Sequence, residues 1–252
     1  MLTIDLTGKV ALITGASQGI GAKMARRFHA AGAHVVVNHP GLGSTAADAE
    51  VIVSELCALR PDSATVAEAD VADATAVQGM MTRVANKLGG LDFLINNAAI
   101  IRDKTIAKMS LDEWKAVMDV NLSGVFHCCK FGLEIMRNDG AIVSMGSIAA
   151  IQGFYGQTNY AAAKAGVQAM MRVVSREAAK RNIRANAIAP GVVETAMAAT
   201  IPDNVRAEMM KHIPLARFAS TEEIANVAVF LCSPLASYIT GQTLEVNGGW
   251  RG

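Results

Sequence analysis

The segment that decides the fold runs from Lys9 to Gly21 and reads Lys-Val-Ala-Leu-Ile-Thr-Gly-Ala-Ser-Gln-Gly-Ile-Gly. Its first half is a short apolar run, which predicts a buried strand. Its second half has glycines spaced G-x-x-x-G-x-G and opens a helical pattern that ends at Gly32. A glycine turn between a strand and a helix suits a dinucleotide, because glycines admit the pyrophosphate and a helix N-terminus favours its charge. Taken alone, the same spacing also fits a tight turn that binds nothing.

Strand-like and helical segments alternate along the rest of the chain. Apolar runs predict further strands at residues 34–38, 64–69, 91–95, 141–145, 183–189 and 242–246. Helical patterns cover residues 45–59, 73–88, 110–137, 157–181, 205–211 and 220–232. Such alternation with short connections predicts an α/β fold, in which helices cover both faces of an open parallel sheet. Residues 1–252 are expected to form one domain, within which the irregular stretch 192–218 is typical of a substrate lid.

The composition argues against several classes of protein. A net charge of +1 without a basic run disfavours a nucleic-acid or anionic-membrane partner. The uncharged stretch 224–244 is long enough to span a membrane, yet its Asn, Ser, Pro, Thr, Gly and Gln residues make it a poor spanning helix. The N-terminal residues lack the pattern of a signal peptide. The four cysteines form no C-x-x-C pair and predict reduced thiols in a cytoplasmic protein, while the five histidines show no metal-ligand spacing.

The catalytic candidates lie in the stretch 144–164, which carries no charge until Lys164 closes it. Tyr160 precedes Lys164 by four positions in a helix-forming segment, so their Cβ atoms are expected roughly 5–6 Å apart on one helical face. An ammonium at that distance is expected to lower the phenol pKa from about 10, so that Tyr160 can exchange a proton near neutral pH. Ser147, at the end of a strand, could hydrogen-bond a substrate oxygen as charge develops on it. For the pair alone, the alternative is a surface tyrosine and lysine on an alanine-rich helix.

Several further motifs accompany these residues and carry a resemblance to a known family. They are Thr14-Gly15-x-x-x-Gly19-x-Gly21, Asp70, Asn96-Asn97-Ala98, Asn121, Ser147, Tyr160-x-x-x-Lys164 and Pro190-Gly191. In this order and spacing the chain resembles the short-chain dehydrogenases/reductases from about residue 6 to residue 249. The resemblance implies a Rossmann-like, doubly wound, seven-stranded parallel sheet, a nicotinamide cofactor and no metal in the chemistry. Ala99 departs from the family, which usually has glycine there, and is expected to crowd the cofactor slightly.

The resemblance also implies a mechanism. Ser147 and Tyr160 hydrogen-bond a ketone oxygen beside the nicotinamide, and Tyr160 supplies the proton as hydride transfer puts negative charge on that oxygen. Lys164 binds the nicotinamide ribose and holds down the pKa of Tyr160. Asn121 distorts its helix and positions a water that links Lys164 to solvent, although the residue pattern by itself favours a structural plug. In the direction of alcohol oxidation, Tyr160 is the base.

The expected cofactor cleft draws residues from most strand ends. It comprises Gly15, Ser17, Gln18, Gly19, Ile20, Asn38, Asp70, Val71, Asn97, Ala98, Tyr160, Lys164, Pro190, Gly191, Val193 and Thr195. Asn38 ends the second strand, where an acid would bind the ribose 2′-hydroxyl of NAD and repel a 2′-phosphate. Because asparagine does neither and leaves room for a phosphate near Ser17, His39 and Ser44, NADP is the expected cofactor and NAD the alternative. Gln18 argues against NADP, since relatives that prefer NADP often carry arginine there.

Within the family, the chain looks most similar to reductases of 3-oxoacyl thioesters linked to acyl-carrier protein or CoA. The similarity lies in residues 102–105, 156–160, 213–218 and 238–249. It implies NAD(P)H-dependent reduction of a 3-oxoacyl thioester or a similar prochiral ketone. Residues 136–140 hold one base and one acid, which favours CoA esters or free ketones over an acidic carrier protein. The alternatives are an NAD-dependent alcohol or sugar-alcohol dehydrogenase and a non-catalytic cofactor-binding regulator.

Two surfaces carry further expectations. The lid and the segment before Tyr160 predict an apolar, adaptable pocket, although the methionines could merely pack the lid. These side chains are Phe154, Tyr155, Met197, Ile201, Met209, Met210, Ile213 and Phe218. The helices at 110–137 and 157–181 are apolar on more than one face, which predicts pairing across a two-fold axis. The resemblance implies a homotetramer with the C-terminal strand at a second interface.

Overall fold

Seven strands form the centre of the computed structural model, which describes residues 3–195 and 198–250. They are β1 (Val10–Ile13), β2 (His34–His39), β3 (Ala64–Glu68), β4 (Leu91–Asn96), β5 (Met136–Met145), β6 (Arg184–Pro190) and β7 (Thr243–Val246). All pair in parallel, in the order β3-β2-β1-β4-β5-β6-β7. The strand order reverses between β1 and β4, the point at which open α/β sheets bind ligands at their carboxyl ends. The expected doubly wound, seven-stranded parallel sheet is confirmed.

Helices cover both faces of the sheet. They are α1 (Gly19–Ala30), α2 (Thr45–Leu59), α3 (Ala74–Leu88), α4 (Leu111–Met118), α5 (Gly124–Ile135), α6 (Ala149–Gln152), α7 (Thr158–Glu177), α8 (Asp203–Lys211) and α9 (Thr221–Cys232), with short 3₁₀ turns at Ala179–Arg181, Ala198–Thr200 and Pro234–Ala236. Helices α1, α2 and α9 bury one apolar layer, which includes Phe28 and Ile224. Helices α3, α5 and α7 bury the other, which includes Met80 and Met171. Across the described ranges, we find no helix with the length and apolarity that a membrane crossing needs.

The predicted helix starts at residues 110 and 220 are confirmed, and each has a capping box. The Ser110 hydroxyl accepts a hydrogen bond from the Glu113 backbone N–H at 3.0 Å, and the Glu113 carboxylate accepts from the Ser110 N–H at 2.9 Å. Ser220 and Glu223 repeat the arrangement at the start of α9, at 3.2 and 2.8 Å. These bonds satisfy N–H groups that a helix cannot satisfy internally.

The single helix predicted for residues 110–137 is wrong in two respects. It is divided into α4 and α5 by a π turn at Asp119–Ser123, and it ends at Ile135. Asn121 lies within this turn, where its Oδ1 accepts from the Ile100 N–H at 2.8 Å and its Nδ2 donates to the Ile100 carbonyl at 2.9 Å. Residues 136–140 begin β5, whereas the predicted strand began at residue 141, and the pairing register with β4 shifts between Leu91 and Phe93.

An ion cluster, formed by Asp92, Lys9 and Arg137, lies at the amino ends of the strands. Asp92 on β4 is 2% exposed. Its Oδ1 accepts from Lys9 Nζ at 3.1 Å, and its Oδ2 accepts from Arg137 Nη1 at 2.6 Å and from the Val10 N–H at 2.9 Å. The carboxylate therefore links β1, β4 and the start of β5. A buried charge is costly unless it is paired and hydrogen-bonded, and this one is both.

Candidate functional site

The glycine loop, residues 14–21, connects β1 to α1 at the carboxyl edge of the sheet. Gly15 and Gly19 have φ angles of +60° and +56°, a conformation that favours glycine. A Cβ added to Gly21 would lie 2.6 Å from Asn97 Nδ2, so only glycine fits there. No side chain of the described residues caps α1, which leaves the N–H groups of its first turn for an anion. The loop thus fits the phosphates of a dinucleotide.

Two asparagines hold this loop from opposite sides. From the β4 side, Asn97 Nδ2 donates to the carbonyls of Thr14 and Gly15 at 2.9 and 3.0 Å. The Thr14 hydroxyl accepts from the N–H groups of Asn97 and Ala98 at 2.9 and 3.0 Å. From the β2 side, Asn38 Oδ1 accepts from the Gly15 N–H at 3.2 Å. The glycine loop is therefore fixed to both neighbouring strands.

Asn38 lies beneath the loop rather than beside an open ribose site. It is 1% exposed, and its Nδ2 donates to the carbonyls of Ala67 and Ala69 at 3.1 and 3.0 Å. Its own carbonyl accepts from the Ala16 N–H at 2.9 Å. The adjacent His39 is also buried, and its ring Nδ1 accepts from the backbone of the following turn. The Asn38 side chain is therefore enclosed by protein, whereas a residue that contacts the cofactor ribose was expected to face an open site.

Other residues expected at the cofactor cleft meet at the same edge of the sheet. Ser17 is buried at the glycine loop, while Gln18 and Gly19 are exposed at the start of α1 and Ile20 is partly buried. Ser17, Gln18 and Gly19 line part of a cavity of about 350 Å³ between α1, α2 and the start of α9, and Lys23 lines it too.

Residues that follow β3 and β6 complete the edge. The Asp70 carboxylate accepts from the Ala72 N–H at 2.9 Å, which turns the chain after β3. The Val71 carbonyl contacts the His127 ring at 2.9 Å. At the end of β6, the Pro190 carbonyl accepts a hydrogen bond from the Ile148 N–H, and the Gly191 N–H donates to the Val246 carbonyl. Further along the chain, Val193 forms a β-bridge with Ala219. The Thr195 Oγ1 atom accepts a hydrogen bond from the Ala198 N–H. The expected residues that follow the carboxyl ends of β1, β3, β4 and β6 thus lie at one edge of the sheet.

Ser147, Tyr160 and Lys164 lie together beside this edge. Ser147 follows β5 by two residues, and its hydroxyl accepts from the Ala149 N–H at 3.1 Å. Tyr160 lies in the first turn of α7, and Lys164 follows one turn later. The Nζ atom of Lys164 lies 5.6 Å from the centre of the Tyr160 ring. Lys164 is 1% exposed and donates to the Met145 carbonyl at 2.7 Å, which fixes its side chain beneath the site.

The pKa of Tyr160 is shifted in the direction opposite to the one expected. Burial raises the pKa of Tyr160 to about 12; a hydrogen bond with the Ser147 hydroxyl opposes that rise, and the charge of Asp103 adds to it. Burial also lowers the pKa of Lys164 to about 8. The predicted lowering of the Tyr160 pKa by Lys164 is therefore wrong for this structure, because desolvation of the phenolate dominates. At neutral pH the phenol is protonated, which is the state that a proton donor needs.

Asn121 distorts its helix, as the resemblance implied. The side chain is fully buried and its two hydrogen bonds to Ile100 tie the π turn to the segment after β4. A Cβ added to Gly166 would lie 2.9 Å from the Leu122 side chain, so the π turn packs directly on α7. Asn121 thus connects the segment after β4 to a π turn that packs on α7, the helix that carries Tyr160 and Lys164.

A set of contacts that the sequence did not single out fixes the first turn of α7. Asn159 is fully buried; its Nδ2 donates to the Arg102 carbonyl at 3.1 Å and its Oδ1 accepts from the Tyr160 N–H at 2.7 Å. Gln157 donates to the Asp103 carboxylate at 2.8 Å. Asparagine is a weak helix former, so its place as the second residue of α7 was the available signal for this role. Residues 102–103 thereby fix the helix turn that carries Tyr160.

The lid forms an apolar cluster next to Ser147. Its buried members are Ile148, Ile213, Phe218 and Trp250, against which Phe154, Val192, Met209 and Met210 pack. The Trp250 ring lies 5.5 Å from that of Phe154 and stacks on His212 at 6.1 Å, with an interplanar angle of 15°. The structure thus brings most of the expected pocket residues together and adds Trp250. Tyr155 is 92% exposed and outside the cluster, Ile201 is partly buried, and Met197 lies outside the described residues.

Known proteins are similar to this chain over almost its whole length. A family model described as enoyl-(acyl carrier protein) reductase matches residues 15–251. A protein named 3-oxoacyl-[acyl-carrier-protein] reductase FabG, from Staphylococcus aureus, is 42% identical over 243 residues, which cover 96% of this chain and 97% of the relative.

Solved structures agree with that similarity. A structure titled short-chain dehydrogenase/reductase SDR:glucose/ribitol dehydrogenase, from Brucella melitensis, aligns with a TM-score of 0.93 at 34% identity and covers 100% of both chains. The blue fluorescent protein from a metagenomic library, in complex with NADPH, aligns with a TM-score of 0.92 at 32% identity and covers 98% of this chain and 100% of that one. From the family match, the sequence identity and the shared fold, the chain belongs to the short-chain dehydrogenase/reductase family of oxidoreductases.

Proposed function

We propose that the chain is an NADPH-dependent reductase of 3-oxoacyl thioesters or closely related prochiral ketones. The observation that carries the proposal is the placement of the Ser147 and Tyr160 hydroxyls next to a buried Lys164, at the edge where the glycine loop lies. Two neutral donors that converge on one point suit a carbonyl oxygen, which becomes negative as the carbon is reduced. The name of the Staphylococcus aureus relative supports a 3-oxoacyl substrate.

When bound at the glycine loop, a nicotinamide cofactor would supply the hydride that the carbonyl carbon needs. Tyr160 gives its phenolic proton to the oxygen, so that the ketone becomes a secondary alcohol and NADPH becomes NADP⁺. Ser147 donates a hydrogen bond to the same oxygen. Lys164 presents a cation beneath the phenol, and this cation opposes the charge that the phenolate would carry once the proton has left.

Cofactor binding at the glycine loop rests on the geometry of that loop. The N–H groups at the start of α1 suit the pyrophosphate, and the space beside Gly19 is open, since a Cβ there would meet no atom within 4 Å. Residues 40–44, which follow β2, contain no acid that would repel a 2′-phosphate. A solved relative in complex with NADPH supports the same cofactor. Asn121, Asp70, Val71, Pro190, Gly191, Val193 and Thr195 complete the proposed site.

The substrate portion of the proposed site is formed by the described residues of the lid, 192–195 and 198–218, and by Trp250. Its apolar cluster starts at Ile148, the residue after the Ser147 hydroxyl, so the carbon chain of an acyl substrate can pack there while its ketone meets Ser147 and Tyr160. A sugar alcohol would need several polar partners, and leaving its hydroxyls unpaired is costly. The apolar lining therefore favours the acyl reductase over the sugar-alcohol dehydrogenase.

The proposal also covers the oligomeric state of the protein and its location in the cell. The outward face of α7 carries Ala162, Ala165, Ala169 and Val173, and the neighbouring α5 exposes Phe126. This apolar face supports pairing of two copies, and the edge strand β7 with the exposed Tyr238 nearby supports the second interface of a homotetramer. Four free cysteines, three of them buried, suit a reducing cytoplasm.

The test is a comparison of kcat/KM across four carbonyl substrates with NADPH and with NADH. The substrates are acetoacetyl-CoA, a 3-oxoacyl carrier-protein ester, an aryl ketone and a ketose. We expect one of the two thioesters to give the highest value, with NADPH above NADH. A ketose that exceeds the other three by tenfold would overturn the substrate assignment. NADH equal to or better than NADPH would overturn the cofactor assignment, and cofactor binding without turnover on any carbonyl would favour the regulator.

A further inference from the structure

The residue before the last one of β2, Asn38, is enclosed by neighbouring chain segments. The three shortest hydrogen bonds of its side chain are one from the Gly15 N–H and two to the carbonyls of Ala67 and Ala69, and longer contacts of 3.4 Å reach the His39 carbonyl and the Met80 sulfur. The first bond reaches the glycine loop, and the next two reach the carboxyl end of β3 and the residue that follows it. The backbone carbonyl of Asn38 also accepts a bond from the Ala16 N–H.

We infer that Asn38 is a positioning residue, which holds the glycine loop in its cofactor-binding conformation and does not itself select between NADPH and NADH. The inference rests on the proposed binding of NADPH at that loop. With 1% of its surface exposed, Asn38 has no free polar atom to offer a ribose. Its amide instead links three chain segments whose relative position decides where the pyrophosphate can lie.

The chemistry of the three bonds explains why an amide is required. The Asn38 Oδ1 accepts one N–H, while its two Nδ2 hydrogens are donated to two carbonyls. An amide is the side chain of this size that offers an acceptor and two donors. A carboxylate has the same shape but only acceptors, so it would face the carbonyls of Ala67 and Ala69 without a donor in a buried place. Asn38→Asp should therefore disturb the loop instead of creating an NAD site.

Asn186 provides a matched control within the same sheet. It is also 1% exposed, lies on β6, donates from Nδ2 to the Ile239 carbonyl at 2.8 Å and accepts at Oδ1 from the Gln242 N–H at 3.0 Å. Its bonds join β6 to the approach of β7 and do not reach the glycine loop. Asn186→Asp thus imposes a similar loss of buried hydrogen bonds at a distance from the cofactor.

The first experiment is a fluorescence titration of the full-length wild type, Asn38→Asp, Asn38→Ser and Asn186→Asp with NADPH and with NADH. We expect Asn38→Asp to raise both dissociation constants by about tenfold or more, with their ratio unchanged within about threefold. Asn38→Ser, which keeps one donor and one acceptor, should move both constants in the same direction by less. Asn186→Asp should lower the melting temperature and leave both constants within about twofold of wild type.

The second experiment reads the loop without any cofactor. Amide hydrogen exchange of the peptide that covers residues 13–18 should become faster in both Asn38 variants and stay at the wild-type rate in Asn186→Asp. The inference is overturned if that exchange rate is unchanged, or if Asn38→Asp binds NADH more tightly while it loses NADPH. Wild-type turnover, measured separately, tests the proposed function, so the two failures are distinguishable.

Discussion

The hydrogen bond of Lys164 is made to the carbonyl of Met145, at 2.7 Å, and not to the phenol of Tyr160. The lysine therefore acts on the tyrosine through space, from 5.6 Å beneath its ring. This arrangement leaves the phenolic hydroxyl free for Ser147 and for a substrate oxygen. The two residues can therefore be tested separately: Tyr160 by the turnover rate and Lys164 by the free energy of unfolding.

Replacement of Tyr160 by phenylalanine removes the proposed proton donor and little else. We expect turnover of the preferred ketone to fall by about 10²–10⁴, the range that positioned proton transfer contributes. The dissociation constant for NADPH should remain near that of wild type, because the ring and Lys164 stay in place. Steady-state kinetics and a fluorescence titration measure the two effects. Retention of more than about a tenth of the wild-type rate would show that the proton comes from elsewhere.

Lys164 should make the stability of the fold depend on pH. Its pKa is lowered to about 8 by burial, from an ordinary value near 10.5. Below pH 8 the folded protein holds a desolvated cation, whereas above pH 10.5 the lysine is neutral in both folded and unfolded chains. The destabilisation is thus complete at pH 7 and declines as the pH rises from 8 to 10.5.

Lys164→Met should accordingly be more stable than wild type at pH 7, by on the order of 2 kcal/mol, and should gain less at pH 10. Its reductase activity should be lost at both pH values. Urea unfolding at the two pH values gives the difference. Lys180→Met, at an exposed position, is the control and should change neither value. An equal gain at pH 7 and pH 10 would contradict the electrostatic explanation.

Gly21 and Gly79 offer a matched pair of glycines within helices. A Cβ at Gly21 would collide with Asn97 Nδ2, at 2.6 Å, and with the Gly15 backbone. At Gly79 in α3 the nearest atom would be the flexible end of Arg83, at 3.4 Å. We expect Gly21→Ala to weaken NADPH binding by about tenfold or more. Gly79→Ala should leave binding unchanged and stabilise the protein by about 0.5–1 kcal/mol. Equal effects of the two substitutions on NADPH binding would exclude a steric role for Gly21.

Trp250 should influence the substrate and not the cofactor. Its ring fills the centre of the lid cluster between Phe154 and His212. Trp250→Leu is expected to raise KM for the preferred thioester by about fivefold or more, with the NADPH dissociation constant unchanged. Trp114→Phe, on the outer face of α4, is the control and leaves Trp250 as the sole tryptophan. In that background the emission of Trp250 should change when substrate binds; a constant emission and an unchanged KM would place the lid cluster outside the pocket.

Much of this structure could be predicted from residue patterns, because a doubly wound sheet repeats one local unit. Buried strands are continuous apolar runs, helices begin at capping boxes, and the glycine loop stands between the first strand and the first helix. The spacing of Tyr160 and Lys164 predicted their shared face, which the structure confirms. Each of these features is local, so the sequence in one short window suffices.

The features that were missed depend on contacts between distant segments. The residue pattern predicted one continuous helix at 110–137, and the distortion at Asn121 was expected only from the resemblance; in the structure Asn121 bonds to Ile100, twenty-one positions away. Trp250 reaches the lid from the end of the chain, and Asn38 reaches carbonyls of a neighbouring strand. The raised pKa of Tyr160 likewise depends on how completely the fold encloses the phenol, which a four-residue spacing cannot reveal. Burial and long-range hydrogen bonding, rather than local propensity, decided these cases.

The ion cluster of Asp92, Lys9 and Arg137 lies at the opposite end of the strands from every group proposed for chemistry. This separation matters for laboratory evolution, since heat tolerance and substrate range can be sought in different places. Libraries at Lys9 and Arg137 can vary the strength of the Asp92 pairing without touching the lid or the glycine loop. Libraries at the lid can then include substitutions that lower the stability of the fold. A variant first stabilised at the Asp92 cluster tolerates such losses, and this cluster lies at an edge that no substrate contacts.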